Sequence, residues 1–353
     1  MKKVLVGMSG GVDSSVSVLL LKQAGFEVCG ATLKLHKAYT GNDRSCGSGA
    51  EAEIAHSVAD DLGISHEVLD FSEAFEACVV EKFINEYKHA RTPNPCIECN
   101  RHIKFAKLLE RALASGCTHI ATGHYAQIEY NESTGRYLLK KAKDITKDQT
   151  YVLYNLTQHE LAHTLFPLGG YTKAEVREIA EKHGFINAKK PDSQDICFVP
   201  DGDYADFIQR NTGINFPKGS FLDTAGNVLG EHSGIIHYTI GQRKGLGITF
   251  GEPRFVVSKD ASLNTVILGK SEDLFTDTCL VADINWIQIE SLDAPMRVTA
   301  KTRYSQKETP AKLYPEENGC VRVVFDETVR AISPGQACVF YDGDSVVGGG
   351  TIV

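Results

Sequence analysis

The sequence predicts an α/β N-terminal domain, a parallel sheet with helices on both faces, followed by a small α+β unit and a C-terminal β-barrel. Two observations carry this expectation. Through the first 200 residues, short β-branched runs alternate with longer segments whose apolar residues recur at helical spacing. From about residue 206 helical periodicity nearly vanishes, and Thr/Val/Ile-rich strands alternate with turn signals such as "DTAGN", "KDASLN" and "YDGDS". A length of 353 residues suits two or three domains, and the changes of texture divide them at 1–205, 206–273 and 274–353.

The elements follow in order. "KVLVGM" reads as the first strand, and "SSVSVLLLKQAG" as a helix closing on Gly25. "EVCGATLKL" is the second strand, "AEAEIAHSVADDLG" a helix closing on Gly63, and "SHEVLDF" the third strand. "EAFEACVVEKFINEYKHA" and "IKFAKLLERALASG" are amphipathic helices, the latter closing on Gly116, and "THIATGHYAQIE" is strand-like. Such β–α alternation predicts an open parallel sheet. The segment from "GSFLDTAGN" to "RKGLGI" reads as the small α+β unit, and "CLVADINWIQI" opens the barrel.

Composition narrows the function classes. With 42% hydrophobic and 23% charged residues the chain is typical of a soluble globular protein, and no apolar run is long enough to span a membrane. "MKKVLVGMSGG" meets glycines before any secretory apolar core is built, so the expected location is the cytoplasm. Ten cysteines in such a chain are expected to be mostly reduced thiols. The net charge of −8 argues against a whole-surface nucleic-acid binder, although Lys82 to Arg111 and Arg136 to Lys147 are locally basic.

The first turn carries the strongest chemical signal. A strand ending at Met8, a Ser9-Gly10-Gly11 turn and a helix opening near Ser14 present unpaired backbone N–H groups at a helix N-terminus, where an anion is favoured. The glycines let phosphate approach the backbone, and Ser9, Ser14 and Ser15 supply hydroxyl donors. Asp13 is unusual beside an anion unless it caps the helix or holds Mg²⁺ between phosphates. No Lys follows the glycines, so this is not a Walker A loop.

The cysteines sort by context. Cys29, Cys78, Cys117, Cys279, Cys320 and Cys338 lie in apolar strand or helix patterns and read as small core residues. Cys46 is ambiguous. "TPNPCIECNRHIKF" and "PDSQDICFVP" place thiols in Pro/Asn/Asp-rich segments, where Arg101, His102 and Lys104 favour a thiolate. A C-x-x-C alone suits zinc, redox or iron–sulfur chemistry, and the second pair that a four-cysteine zinc site needs is missing.

S-G-G-V-D-S-S after a first strand resembles the PP-loop of the N-type ATP pyrophosphatases, which split ATP to AMP and pyrophosphate while adenylating a substrate oxygen. "RTPNPCIECNRHIKF", "ATGHYAQI", "KDQTYVLYNL", "PDSQDICF", "HYTIGQRKGLGI", "TRYSQ" and "SPGQACVFYDGD" extend the resemblance over nearly the whole chain, to the tRNA-specific 2-thiouridylases. That resemblance implies an adenine nucleotide alpha hydrolase-like first domain and a sulfurtransferase acting on the wobble uridine (U34) of tRNA. It implies ATP on Gly7, Met8, Ser9, Gly10, Gly11, Val12, Asp13, Ser14, Leu33 and Gly123, with Mg²⁺ accompanying the nucleotide. It implies Cys99 as nucleophile and Cys197 as persulfide carrier, the two closing a disulfide that a reductant must reset. Asn94, Pro95 and Cys96 would meet the target base; His124, Lys147, Asp148, Gln149, Arg303, Tyr304 and Gln336 would meet the tRNA, with the 136–147 stretch as a phosphate-contacting surface. Partners implied are Glu, Gln and Lys tRNAs and a cysteine desulfurase or sulfur-relay protein. Many members carry D-x-x-C-N where this chain has C-x-x-C-N, so two readings stand: Cys96, Cys99 and Cys197 as ligands of a [4Fe–4S] cluster, or Cys96 as a tolerated replacement or alternate resolving thiol.

Overall fold

A computed structural model describes residues 2–36, 49–191, 196–199, 201–249 and 251–353. Cys46 and residues 192–195 of the "PDSQDICF" segment lie outside the described residues.

Five strands form a parallel sheet: β1 (Lys3–Gly7), β2 (Glu27–Lys34), β3 (His66–Asp70), β4 (His119–Ala121) and, at the edge, β7 (Thr164–Leu165), in the order β3-β2-β1-β4-β7. Val4, Leu5 and Val6 of β1 are fully or almost fully buried, because helices cover both faces of a parallel sheet. Helix α1 (Val12–Gln23) follows β1, and α2 (Gly49–Asp61) lies between β2 and β3. The strand order reverses between β1 and β4, so their carboxyl ends open a crevice at that switch point. Gly25, Gly63 and Gly116 all take positive φ just past their helices, as the sequence predicts for closing glycines.

The two amphipathic stretches each become α-helix interrupted by π-helix. The first comprises α3 (Ser72–Phe75), a π stretch (Glu76–Val80) and α4 (Glu81–Lys88). The second comprises α5 (Pro95–Cys99), a π stretch (Asn100–Lys107) and α6 (Leu108–Ala114). Asn94 caps α5 through its side chain and Pro95 sits in the first turn, which starts the helix eight residues earlier than "IKFAK" suggests.

"THIATGHYAQIE" is not one strand. It supplies β4 and then, from Gln127, enters a hairpin of β5 (Gln127–Asn131) and β6 (Arg136–Lys140). Through the pairing of Ser345 with Lys140 that hairpin joins the C-terminal antiparallel sheet. Four short helices follow: α7 (Thr150–Leu153), α8 (Gln158–Ala162), α9 (Lys173–Lys182) and α10 (Tyr204–Thr212). Thr157 and Thr172 each start their helix with a reciprocal capping box.

The central unit is a four-stranded sheet of β8 (Gly219–Asp223), β9 (Val228–His232), β10 (Phe255–Asp260) and β11 (Thr265–Gly269), ordered β10-β11-β8-β9. The barrel closes from β12 (Phe275–Trp286), β13 (Met296–Lys301), β14 (Thr309–Pro315), β15 (Val321–Arg330), β16 (Ala337–Asp342) and β17 (Ser345–Ile352), with β12 pairing both β15 and β17. The three turn signals each close a hairpin: Asp223 and Asp260 accept hydrogen bonds from backbone amides within their own turns, and the third links β16 to β17.

Candidate functional site

The crevice at the switch point holds a cavity of about 190 Å³ lined by Gly7, Met8, Ser9, Asp13, Ser14, Thr32, Leu33, Leu35, Lys104, Leu108, Thr122, Gly123, His124 and Gln149. Seven of the ten positions expected to hold nucleotide therefore converge here, contributed by the ends of β1, β2 and β4. Gly10, Gly11 and Val12 form the turn behind the lining, with Val12 in the core. Gly10 has φ +71, and a Cβ there would lie 2.5 Å from the backbone oxygen of Glu51. Gly123 passes so close to α1 that a Cβ would lie 2.8 Å from the Ser14 nitrogen. The hydroxyls are partly committed: Ser14 Oγ donates to Gly11 O and accepts from Ser9 N, and the fully buried Ser15 donates to Gly11 O. Ser15 is thus a turn-former rather than a phosphate donor.

Four residues distant in sequence hold this turn, and local sequence patterns gave no sign of them. Lys173 Nζ lies 2.7 Å from both Asp13 carboxylate oxygens, and Tyr125 Oη donates to Asp13 Oδ1. Asn187 Nδ2 donates to Gly10 O at 3.0 Å and to Ser15 Oγ at 2.9 Å. Lys190 pairs with Glu51 on the other side of Gly10. With both its oxygens on Lys173, Asp13 does not fit the expected role of Mg²⁺ ligand.

The thiols belong to an apolar cluster that reaches the cavity wall. Cys99 is 7% exposed, and with Leu35, Phe83 and Phe198 it belongs to one apolar cluster against which Leu33 and Cys197 also pack. Leu33 and Leu35 line the cavity, Leu35 belongs to this cluster and Leu33 packs against it, so the cavity and the cluster that holds the thiols share a wall. Phe198 anchors the Cys197 segment, with ring centroids 5.1 Å from Phe83, 5.7 Å from Phe75 and 5.2 Å from Phe207. Two asparagines lash α5 to α7: Asn100 Nδ2 donates to Val152 O and Asn155 Nδ2 to Ile97 O.

Several expectations need correction. Cys96 is exposed while Cys99 is buried, and among the described residues no three His, Cys, Asp or Glu side chains converge as a metal-binding group. The three thiols therefore do not fit the [4Fe–4S] reading. Arg101 and His102, expected to favour a thiolate, do not join the cluster of Cys99 either. They line a separate cavity of about 550 Å³ against the barrel, where His102 and Lys82 pair with Glu98. Only Lys104 of that basic trio reaches the switch-point cavity.

The residues expected to meet tRNA are dispersed. His124 and Gln149 line the switch-point cavity; His124 sits between Phe105 and Phe166, and burial holds its imidazole well below its ordinary pKa, with Lys104 adding to the effect. Gln149 Oε1 accepts from Tyr125 N, and Asn94 Oδ1 accepts from Cys96 N. Pro95 is buried. Asp148 accepts from Ala142 N and Thr150 Oγ1, and burial raises its pKa. Arg303 Nη2 is held by Ile240 O, Ala331 O and Ser333 Oγ, so it joins the central unit to the barrel. The basic 136–147 stretch is largely committed as well: Arg136 donates to Trp286 O and Ile287 O, Lys140 pairs with Glu129 and Asp344, Lys141 with Glu308, and Lys143 with Glu175. Those contacts tie the stretch to the barrel, to the neighbouring strand of its own hairpin and to α9. Tyr304 is 44% exposed, and Lys147 is half-buried in the 144–147 turn.

Gln336 Nε2 donates to Thr92 O at 2.7 Å, and Thr92 N donates to Pro334 O at 2.9 Å, so a barrel loop grips the chain just before α5. Removing one neutral hydrogen bond costs about 1 kcal/mol, so Gln336→Ala should make local opening of this segment about fivefold more frequent. Amide hydrogen exchange at Thr92 reads this directly, and unchanged exchange would show that the grip does not depend on Gln336.

Residues 2–201 match the family model described as the tRNA methyl transferase HUP domain, 205–270 the tRNA methyl transferase PRC-barrel domain, and 276–352 the aminomethyltransferase beta-barrel domain. The chain is 52% identical to the tRNA-specific 2-thiouridylase MnmA of Clostridioides difficile, over 99% of this chain and 98% of that one. It is 52% identical to the protein of the same name from Acetivibrio thermocellus, over 99% of each chain. The corresponding Halothermothrix orenii protein is 51% identical, over 100% of this chain and 99% of that one.

Proposed function

Because the chain belongs to the tRNA-specific 2-thiouridylase family, we propose that it is the ATP-dependent enzyme that replaces O2 of the tRNA wobble uridine with sulfur. The observation that carries this reading is the shared wall of Leu33 and Leu35 between the phosphate-type turn and the apolar cluster of Cys99 and Cys197. ATP occupies the cavity, with its phosphates toward Ser9 and the N-terminus of α1. Uridine O2 attacks the α-phosphorus, pyrophosphate leaves, and the poor leaving oxygen becomes part of AMP. Cys99 thiolate then attacks the Cys197 persulfide, forming a Cys99–Cys197 disulfide and releasing hydrosulfide. Hydrosulfide adds at C2, AMP departs, and 2-thiouridine remains. A two-electron thiol reductant restores both cysteines.

Exposed Cys96 and Tyr304 and the Lys147 turn are the surfaces offered to the flipped uridine and its strand. Glu, Gln and Lys tRNAs are the proposed substrates, and a cysteine desulfurase or relay protein in the cytoplasm is the proposed source of persulfide. Among the described residues no helix is long and apolar enough to cross a membrane. The test supplies purified protein with ATP, Mg²⁺, unmodified tRNA and a persulfide donor, and measures 2-thiouridine, AMP and pyrophosphate. The expected result is one of each per uridine converted. Thiolation without ATP consumption, or pyrophosphate release that ignores tRNA, would refute the reading. Methyl transfer, which the family-model descriptions name, would form no pyrophosphate.

A further inference from the structure

We propose that Lys173 is a positioning residue whose task is to cancel the charge of Asp13, so that a phosphate-binding turn containing a carboxylate can accept a polyphosphate. This rests on the assignment of the cavity to ATP. Asp13 stands in the first turn of α1 and lines the cavity together with Ser9 and Ser14. An uncompensated carboxylate there would repel the anion that the helix N-terminus attracts. Lys173 meets both of its oxygens at 2.7 Å, and the pair is mostly enclosed, with side chains 11% and 31% exposed. Enclosure weakens solvent screening, so the compensation acts over the short distance to a phosphate.

The ammonium is placed by structure around it. Lys173 is the first residue of α9, Thr172 caps that helix, and the Lys173 backbone N–H donates to Asp144 Oδ2 at 3.0 Å. Tyr125 closes the remaining side, its hydroxyl on Asp13 Oδ1 and its ring 5.8 Å from the ammonium. The surroundings thus hold the cation on the carboxylate, and Lys173 itself is not among the residues that line the cavity.

The experiment measures equilibrium binding of ATP in EDTA to the full chain, which separates this charge effect from any metal. Lys173→Met should weaken binding about tenfold or more, and Lys173→Arg should retain most of it. Asp13→Asn should bind metal-free ATP at least as well as the parent, because the carboxylate charge that opposes the polyphosphate is then gone. The double variant Asp13→Asn/Lys173→Met should return to within about threefold of the parent. A double variant as weak as Lys173→Met would overturn the proposal, because Lys173 would then act on phosphate directly or through the fold. If Lys173→Met fails to fold, Asp13→Asn still decides: binding tenfold weaker than the parent would overturn it. A parent protein that binds no ATP would instead refute the assignment of the cavity.

Discussion

Cys99→Ser is expected to abolish 2-thiouridine formation while leaving tRNA-dependent pyrophosphate release intact. Loss of an enzyme's nucleophile typically costs at least about a thousandfold in turnover. A serine hydroxyl is not ionised near neutral pH and cannot open a persulfide, whereas adenylation of the uridine makes no use of this sulfur. Cys99 is buried in an apolar cluster, so a Cys99→Ala variant, which adds no buried hydroxyl, controls for damage to packing. Pyrophosphate and thiolated uridine measured in the same reaction should come apart: the first persists, the second disappears. Undiminished thiolation would remove Cys99 from the mechanism. Loss of both activities in Cys99→Ala as well as Cys99→Ser would place the residue in the architecture instead.

Gly10→Ala should cost on the order of a hundredfold in ATP affinity, through two effects that add. Alanine at φ +71 costs about 1–2 kcal/mol, and forcing an atom into a filled space costs a further ~1–3 kcal/mol. The obstacle is the backbone oxygen of Glu51, whose side chain is tied to Lys190, so it cannot swing aside as a flexible side chain would. Gly11→Ala is the contrasting case. Gly11 is extended at φ −89, ψ 159, and its Cβ would approach only Ser9 Oγ at 3.3 Å, a group free to rotate. Its affinity should stay within about tenfold of the parent. Equal losses for the two glycines, read by equilibrium nucleotide binding, would mean that backbone conformation does not set the turn.

Much of the fold was legible because its signals are local. "KVLVGM", the Ser-Gly-Gly turn and the helix after it are contiguous, and short-range rules of pleat, glycine and cap govern them. The closing glycines and the three Asp-led hairpins were legible for the same reason. "THIATGHYAQIE" misled because apolar alternation does not say which sheet a strand joins: β4 pairs with β1, while β5 joins the barrel through β6. Charge patterns misled likewise. The basic 136–147 stretch resembles a nucleic-acid face until Glu308, Glu175, Asp344 and Glu129 are brought against it.

Strand–turn–helix order, the thiol-bearing segments and the change from helical to β texture are properties of neighbouring residues, and reading along the chain was enough to recover them. Which groups oppose one another was decided by folding alone. Lys173 meets Asp13 across 160 positions and Asn187 meets Ser15 across 172, separations over which residue spacing carries no record of contact. The same holds for the three cysteines: C-x-x-C spacing allows a ligand set, but burial puts Cys99 inside an apolar cluster and leaves Cys96 in solvent. Packing of distant helices and strands fixes direction and exposure, and those two quantities separate a buried thiol from a surface one.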